Sequence, residues 1–266
     1  MQEGCCPIIP KIIHYCWFGK NPLPPLARKC IQSWKKHCPE YEIIQWNEIN
    51  FDITCNDYTK KAYEAKKWAF VSDVARLYAL TTYGGVYLDT DCELIKPLDD
   101  FLEHDAVCGF ESPNYVATAF MACKKGHHQF VDFLTHYKNR KYNNITNVFI
   151  ITKILIKHGL TTDNKKQIIK DITIYPSEYF NPKDVKSGEV YITNNTYIIH
   201  HLEGSWLSNA QKLEQNRLNK YRKKYGNKPG ELLYSMLMVI FLRRTGIQYI
   251  FSQLLSKYKR NKLLKW

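Results

Sequence analysis

Apolar residues along this chain follow two periods in turn, and the switches between them outline alternating strands and helices. Ile8 to Phe18 is dense in isoleucine and aromatic side chains and is closed by Gly19 and a proline-rich stretch, which predicts a first strand. Pro25 to His37 puts Leu26, Cys30, Ile31 and Trp34 on one helical face and stops before Pro39. Tyr41 to Trp46 predicts a second strand, so the chain opens as an α/β nucleotide-binding half would. Residues 57–69 predict a helix that leads into a longer central one. In that central helix Val74, Leu77, Tyr78 and Leu80 recur at helical spacing, with Ser72 placed as an N-cap. Gly84 and Gly85 supply a positive-φ stop, and Val86, Tyr87 and Leu88 read as a buried strand. Further strands are predicted at Ala106–Phe110, Tyr115–Cys123, Ile172–Tyr175 and Tyr191–Ile199, and helices at Phe130–Tyr137 and Val148–Lys157. His14 and His37 read as polar packing residues.

Two carboxylates follow the strand that ends at Leu88. In extended chain residues two apart share a face, so Asp89 and Asp91 would look into one space. Carboxylates that close repel each other, and a divalent cation relieves the repulsion while leaving positions for phosphate oxygens. The carboxyl end of a strand is where open α/β sheets place their ligands. Asp73 and Arg76 share a face of the preceding helix, where the arginine could address phosphate or sugar hydroxyls and Asp73 could orient it or accept from the sugar. Two other readings of the pair stand beside this one. It could be a plain polar turn, or it could open a haloacid-dehalogenase-type phosphatase with Asp89 as nucleophile. Against the phosphatase, Cys92-Glu93 follow where such enzymes usually carry Thr or Val, and the helix-Gly-Gly-strand lead-in differs from their N-terminal strand.

The run SDVARLYALTTYGGVYLDTDCE resembles the D-x-D glycosyltransferases of the sugar-binding-region type. That group takes in initiating α-mannosyltransferases, bacterial capsule and lipopolysaccharide transferases and, more distantly, clostridial glucosylating toxins. The opening IPKIIHYCWFG and the late HHLEGSW are similar to the first strand and closing motif of the same group, so the resemblance spans roughly residues 8–206. It implies a GT-A-type, Rossmann-like mixed sheet with flanking helices that binds a nucleotide-sugar, with UDP-sugar favoured, and needs Mn²⁺ or Mg²⁺. Asp91 would then be a direct metal ligand, and Asp89 would serve the metal shell or the ribose and sugar hydroxyls. Asp73 and Arg76 would orient the sugar, Ser72 and Tyr87 would line the donor pocket, and Trp17 would stack on the base. Ser205 and Trp206 would close over the donor, and one histidine of His200-His201 would join the metal; His200 is preferred by its spacing to Ser205-Trp206. Glu111 and Asn114, in the loop Glu111-Ser112-Pro113-Asn114, would face the acceptor, a saccharide or lipid-linked saccharide. The resemblance also implies retention at the anomeric carbon.

Composition changes the picture mainly through charge. Hydrophobic content of 45% and aromatic content of 14% describe a globular chain. Nine cysteines without C-x-x-C spacing predict reduced thiols, and no N-terminal stretch combines basic, apolar and cleavable segments, which predicts a cytosolic protein. The sequons at Asn144 and Asn194 then carry no weight. Residues 207–266 hold 14 Lys and Arg against two acids, Glu214 and Glu231, so they carry +12 of the net +13. This divides the chain into a nearly neutral catalytic domain over 1–206 and a basic helical extension over 207–266. Leu232 to Leu242 is apolar but too short to span a bilayer. Ile247, Ile250, Phe251, Leu254, Leu255 and Tyr258 form an apolar stripe with Lys257, Lys259, Arg260, Lys262 and Lys265 about its end. The pattern predicts a helix on an anionic membrane surface, at the inner face of a bacterial plasma membrane. Packing on its own domain ranks next; nucleic acid ranks last because apolar blocks have no place in a groove. A non-catalytic basic membrane-surface protein is the remaining alternative.

Overall fold

The computed structural model describes residues 9–143, 145–184, 187–204 and 209–245. They fall into two compact units, residues 9–184 with 189–204, and residues 187–188 with 209–245.

The first unit is a mixed α/β domain. Its strands are β1 (Ile12–Cys16), β2 (Glu42–Trp46), β3 (Gly85–Leu88), β4 (Cys92–Leu94), β5 (Ala106–Ser112), β6 (Tyr115–Val116), β7 (Phe120–Cys123), β8 (Gln167–Ile169), β9 (Ile172–Tyr175) and β10 (Ile198–His200). Its helices are α1 (Pro25–His37), α2 (Asp57–Glu64), α3 (Trp68–Tyr83), α4 (His128–Lys138), α5 (Asn147–Lys157) and the short α6 (Ser177–Phe180). The main sheet runs β2-β1-β3-β7-β5-β9-β8, with β6 hairpinned onto β5, while β10 and β4 form a separate antiparallel pair. β2, β1 and β3 are parallel, as are β5 and β9; β7 runs against both β3 and β5.

Both faces of this sheet are covered, which explains why its strands read as continuous apolar runs. The pleat sends alternate residues to two cores. Tyr87, Met121, Cys108 and Ile174 enter the core shared with α2, α3, α4 and α5. Val86, Leu88, Val107, Phe120 and Ala122 enter the one shared with α1 and α6. His14 is the polar exception on the first face. Trp46 Nε1 donates to its Nδ1 (3.2 Å), which leaves Nε2–H for the Gly84 carbonyl (2.8 Å), so it packs as a satisfied core residue.

Several boundaries move for identifiable reasons. The central helix begins at Trp68 with Lys67 as its cap residue, so Ser72 is not an N-cap. Its hydroxyl donates instead to the Trp68 carbonyl (3.1 Å) inside the helix, because Trp68, Phe70 and Val71 carry the apolar face one turn further upstream. The first strand is confined to Ile12–Cys16, since Pro10 has no N–H to give a ladder. Glu111 and Ser112 belong to β5 rather than to a loop, and only Pro113-Asn114 turns. The predicted strand Tyr115–Cys123 divides into β6 and β7. Of Tyr191–Ile199 only the end is strand, because Thr193–Thr196 closes a polar turn on itself. β4 and β8 were not expected: three residues give too short a pattern to read. Among the described residues the cysteines are free thiols, all buried except Cys55.

The second unit is a helical hairpin, α7 (Asn209–Tyr225) and α8 (Asn227–Thr245), turned at Gly226. A Cβ at Gly230 would stand 2.5 Å from the Tyr221 carbonyl oxygen, so glycine is what lets the two helices close. Arg222 and Glu231 pair across the hairpin at 2.9 Å. Among the described residues no helix is long and apolar enough to cross a membrane. The apolar stripe from Ile247 to Tyr258 lies outside the described residues.

The joint between α3 and β3 is the tightest passage of backbone. Gly84 and Gly85 take φ of +72° and +101°, and a Cβ on Gly85 would meet the Ile12 carbonyl oxygen at 2.7 Å. Backbone cannot yield there as a side chain could. Gly85→Ala should therefore lower the urea-unfolding free energy by about 1–3 kcal/mol; an unchanged midpoint would show that β1 and β3 are free to shift apart.

Candidate active site

β3 ends at Leu88, and the next four residues form a turn rather than extended chain. The Asp89 N–H donates to Ala119 O (2.8 Å), and the Cys92 N–H returns to Asp89 O (3.0 Å), closing a β-turn over Asp89-Thr90-Asp91-Cys92. The expectation that strand alternation aims both carboxylates the same way is thus corrected. Their directions are set by the turn and by the elements around it. Trp34 of α1 holds the exit of the turn through Nε1 to Cys92 O (2.7 Å), and the Ser33 hydroxyl accepts from Leu94 N (2.9 Å).

Asp89 turns towards α3. Its Oδ1 accepts from the Tyr87 hydroxyl (2.9 Å) and lies 3.3 Å from Arg76 Nη2, which is also 3.3 Å from Asp73 Oδ1. Arg76 is 4% exposed. It donates through Nε to Ser72 O (3.2 Å) and through Nη1 to Thr118 O (2.6 Å), with its guanidinium carbon 4.5 Å from the centre of the Tyr87 ring. Burial disfavours its charge, but Asp89 and Asp73 outweigh burial and keep the guanidinium charged. Arg76 therefore clamps two carboxylates, and Ser72 contributes a backbone carbonyl to it. Burial pushes the Asp73 carboxyl up to about 7, against the pull of Arg76 and with the help of Asp89.

Asp91 turns the other way, towards β10. Its Oδ2 accepts from Glu203 N (2.8 Å), its carbonyl accepts from His201 N (2.9 Å), and its Oδ1 lies 3.4 Å from His200 Nε2. The β4–β10 register, with His200 opposite Cys92, is what brings a histidine more than a hundred residues away to the motif. Burial acts against the Asp91 charge, yet His200 and the Glu203 N–H hold its carboxyl well below the usual range; Asp91 in turn raises His200 despite burial. His201 points elsewhere, to Glu93 (2.9 Å), which also takes Lys29 (2.8 Å). Of the two histidines, His200 is the one beside Asp91.

Asp91, Cys92 and His200 offer ligand atoms within 4.8 Å of one another, so they could hold a metal ion. The Cys92 thiol was not expected here. Burial pushes it well above its ordinary value and its Sγ faces Ala119 O at 3.6 Å, so it stays protonated. The effective donors are a carboxylate oxygen and an imidazole nitrogen, a set that suits Mn²⁺ and, with added water oxygens, Mg²⁺. Half-buried Glu111 feels this site. Burial raises its carboxyl; His200 pulls it down, while Asp89 and Asp91 add to the rise.

The remaining expected residues are dispersed. Trp17 is half-buried just beyond β1, with Nε1 donating to Asn21 O (2.6 Å), and among the described residues no hydrogen bond or ion pair joins it to either carboxylate. Asn114 is exposed at the β5–β6 tip. Ser205 and Trp206 lie outside the described residues. Sequence reasoning missed Cys92, which adjoins the motif, and Thr118, Asn181 and Glu203, which carry no local signal.

Residues 24–108, from α1 into β5, match the family described as glycosyltransferase sugar-binding region containing DXD motif. Inositol phosphoceramide mannosyltransferase 3 of Schizosaccharomyces pombe is 30% identical over 130 residues, 45% of this chain and 34% of that protein. An uncharacterized glycosyltransferase of Acanthamoeba polyphaga mimivirus is 26% identical over 234 residues, 80% of this chain and 90% of that one. The chain thus spans about a third of the Schizosaccharomyces relative and most of the viral one. Among solved structures, the PaToxG glycosyltransferase superposes with a TM-score of 0.45 at 16% identity, over 56% of this chain and 68% of that one. The matched region runs from α1 through the Asp89-Thr90-Asp91 turn into β5, so over residues 24–108 the chain is similar to the sugar-binding region of DXD-containing glycosyltransferases.

Proposed function

We propose that this protein is a metal-dependent glycosyltransferase that moves a sugar from a nucleotide-sugar, a UDP-sugar by preference, to a hydroxyl of a saccharide or lipid-linked saccharide. The observation that carries the reading is the split of the D-x-D pair. Asp91 is paired with His200 Nε2 at 3.4 Å, while Asp89 is held by Arg76 and Tyr87 on the other side of one turn. Asp91 and His200 would hold Mn²⁺ or Mg²⁺, with Asp89 in the outer shell or on donor hydroxyls. When bound, the cation supplies charge neutralisation to the departing diphosphate.

The chain's own residues do the rest. Arg76 fixes Asp89 and Asp73 so that neither carboxylate reorganises as the glycosidic bond breaks. Asp73 accepts from sugar hydroxyls, Tyr87 and Ser72 border the donor, and Trp17, Ser205 and Trp206 cover the base and diphosphate. Glu111, and more weakly Asn114, face the acceptor. The family resemblance supports retention of configuration, and with Asp89 and Asp91 both engaged by protein donors a front-face route without a covalent intermediate is the default.

The relatives named as inositol phosphoceramide mannosyltransferases support a lipid-borne acceptor. So does the second unit, where Leu213, Leu232, Met236 and Leu237 are exposed and α7 is rich in lysine. On this reading the protein works at the cytoplasmic face of a bacterial plasma membrane, in cell-surface polysaccharide synthesis.

Three outcomes follow. In a thermal-shift panel of UDP-, GDP-, CMP- and dTDP-sugars, one donor should raise the melting midpoint only with Mn²⁺ present, and Asp91→Ala should abolish the shift and lower turnover roughly 100-fold or more. Release of phosphate from simple monoesters instead would point to the phosphatase reading. Asp73→Asn should gain stability over wild type as pH rises from 5 to 7. A carboxyl raised to about 7 in the folded chain costs stability across that window, because the unfolded chain has already released its proton. The gain is at most on the order of 1 kcal/mol per pH unit, and a pH-independent difference in unfolding free energy would contradict the burial argument. Finally, replacing Lys220, Lys223 and Lys224 together by Gln should weaken sedimentation with phosphatidylglycerol vesicles roughly tenfold or more; binding equal to wild type removes the membrane role.

A further inference from the structure

Asn181 follows α6, is 5% exposed, and has both amide atoms engaged. Its Nδ2 donates to Phe110 O at 3.0 Å, and its Oδ1 lies 2.9 Å from His200 Nδ1. A main-chain carbonyl can only accept, so the amide atom facing Phe110 is the nitrogen and the one facing His200 is the oxygen. An amide oxygen also only accepts. His200 Nδ1 must therefore carry a proton, and Nε2 is the nitrogen left facing Asp91 Oδ1 at 3.4 Å.

We propose that Asn181 is a positioning residue that locks His200 in the Nδ1–H tautomer, so that Nε2 beside Asp91 is the lone pair offered to a divalent cation. This rests on the metal-dependent reading above. Orienting a ligating imidazole through its second nitrogen is a general requirement of metal sites, because the outer hydrogen bond fixes both tautomer and ring angle.

The amide has little freedom to turn over. The Asn181 N–H donates to Ser177 O (2.7 Å), and the neighbouring Phe180 ring lies 4.0 Å from Phe120 between centroids. Phe180 also occupies the space a side chain at Gly109 would need: a Cβ there would stand 2.5 Å from Phe180 Cδ2. Gly109 precedes the residue whose carbonyl takes the amide. One strand therefore both seats the aromatic ring and fixes which end of the amide meets the imidazole.

The test separates positioning from mere tethering. Asn181→Leu removes both hydrogen bonds, whereas Asn181→Asp keeps an acceptor for Nδ1–H and loses the donation to Phe110. Mn²⁺ is titrated onto the full-length chain, and free Mn²⁺ is read by electron paramagnetic resonance on the folded fraction. Asn181→Leu should bind 10–100-fold more weakly than wild type, and Asn181→Asp within about threefold of it. A purely structural role would leave all three equal once folded, or weaken both variants alike. Independently, long-range ¹⁵N NMR of the metal-free chain, taken where His200 is neutral, should show protonated Nδ1 in wild type and Asn181→Asp and a shift towards protonated Nε2 in Asn181→Leu. Wild-type Nε2–H, or Asn181→Leu binding Mn²⁺ like wild type, overturns the inference alone. A wild-type chain that binds no Mn²⁺ overturns the metal-dependent reading and this inference with it.

Discussion

A guanidinium buried to 4% exposure cannot be left without partners, and the four partners of Arg76 come from three places in the chain. Ser72 O and the Asp73 carboxylate lie on its own helix, Asp89 on the turn after β3, and Thr118 O on the segment leading into β7. Satisfying that one charge obliges α3 to lie against the sheet with β3 and β7 adjacent. The antiparallel β3–β7 pairing then carries Ala119 to where its carbonyl receives the Asp89 N–H. The position of the first acid is thereby fixed before any ligand arrives.

The second acid answers to a different part of the molecule. Asp91 is tied to β10 by its own carboxylate, its carbonyl and the imidazole of His200, so the turn is stretched between two anchors. Two acids one residue apart would share a similar field in extended chain. Here one sits against a permanent cation and the other against a titratable one. That division leaves one carboxylate held rigidly and the other beside an imidazole, the pair proposed above to hold a cation.

The region similar to the DXD-containing sugar-binding family, residues 24–108, holds Asp73, Arg76, Tyr87, Asp89 and Asp91 but neither His200 nor Asn181. Those two arrive through β10 and the residue after α6. The carboxylate side of the site therefore comes from a contiguous segment, while the imidazole side is assembled from the end of the first unit. Exposed leucines and lysines of α7 and α8 form a self-contained hairpin held by Gly230 and the Arg222–Glu231 pair.

Much of the framework was legible from side-chain period alone. Pro25–His37 and Ile172–Tyr175 fall where the pattern puts them, because a proline start or a run of β-branched residues is a local property of the chain. The Gly84-Gly85 stop was equally local, since only glycine tolerates both positive φ and the approach of the Ile12 carbonyl. Asp89 and Asp91 could be picked out by spacing, but not their directions: a turn closed by the Cys92 N–H on Asp89 O replaced the strand that alternation assumes. The choice between His200 and His201 was closed to sequence, because neighbours on a strand face opposite ways and only the β4–β10 register says which way is inward. Asn181 had no signal, being a single polar residue whose meaning depends on a carbonyl 71 positions earlier and an imidazole 19 positions later. Local sequence thus determined the elements and named the acids; hydrogen bonds between distant segments decided which atoms meet, because their geometry exists only once the sheet has formed.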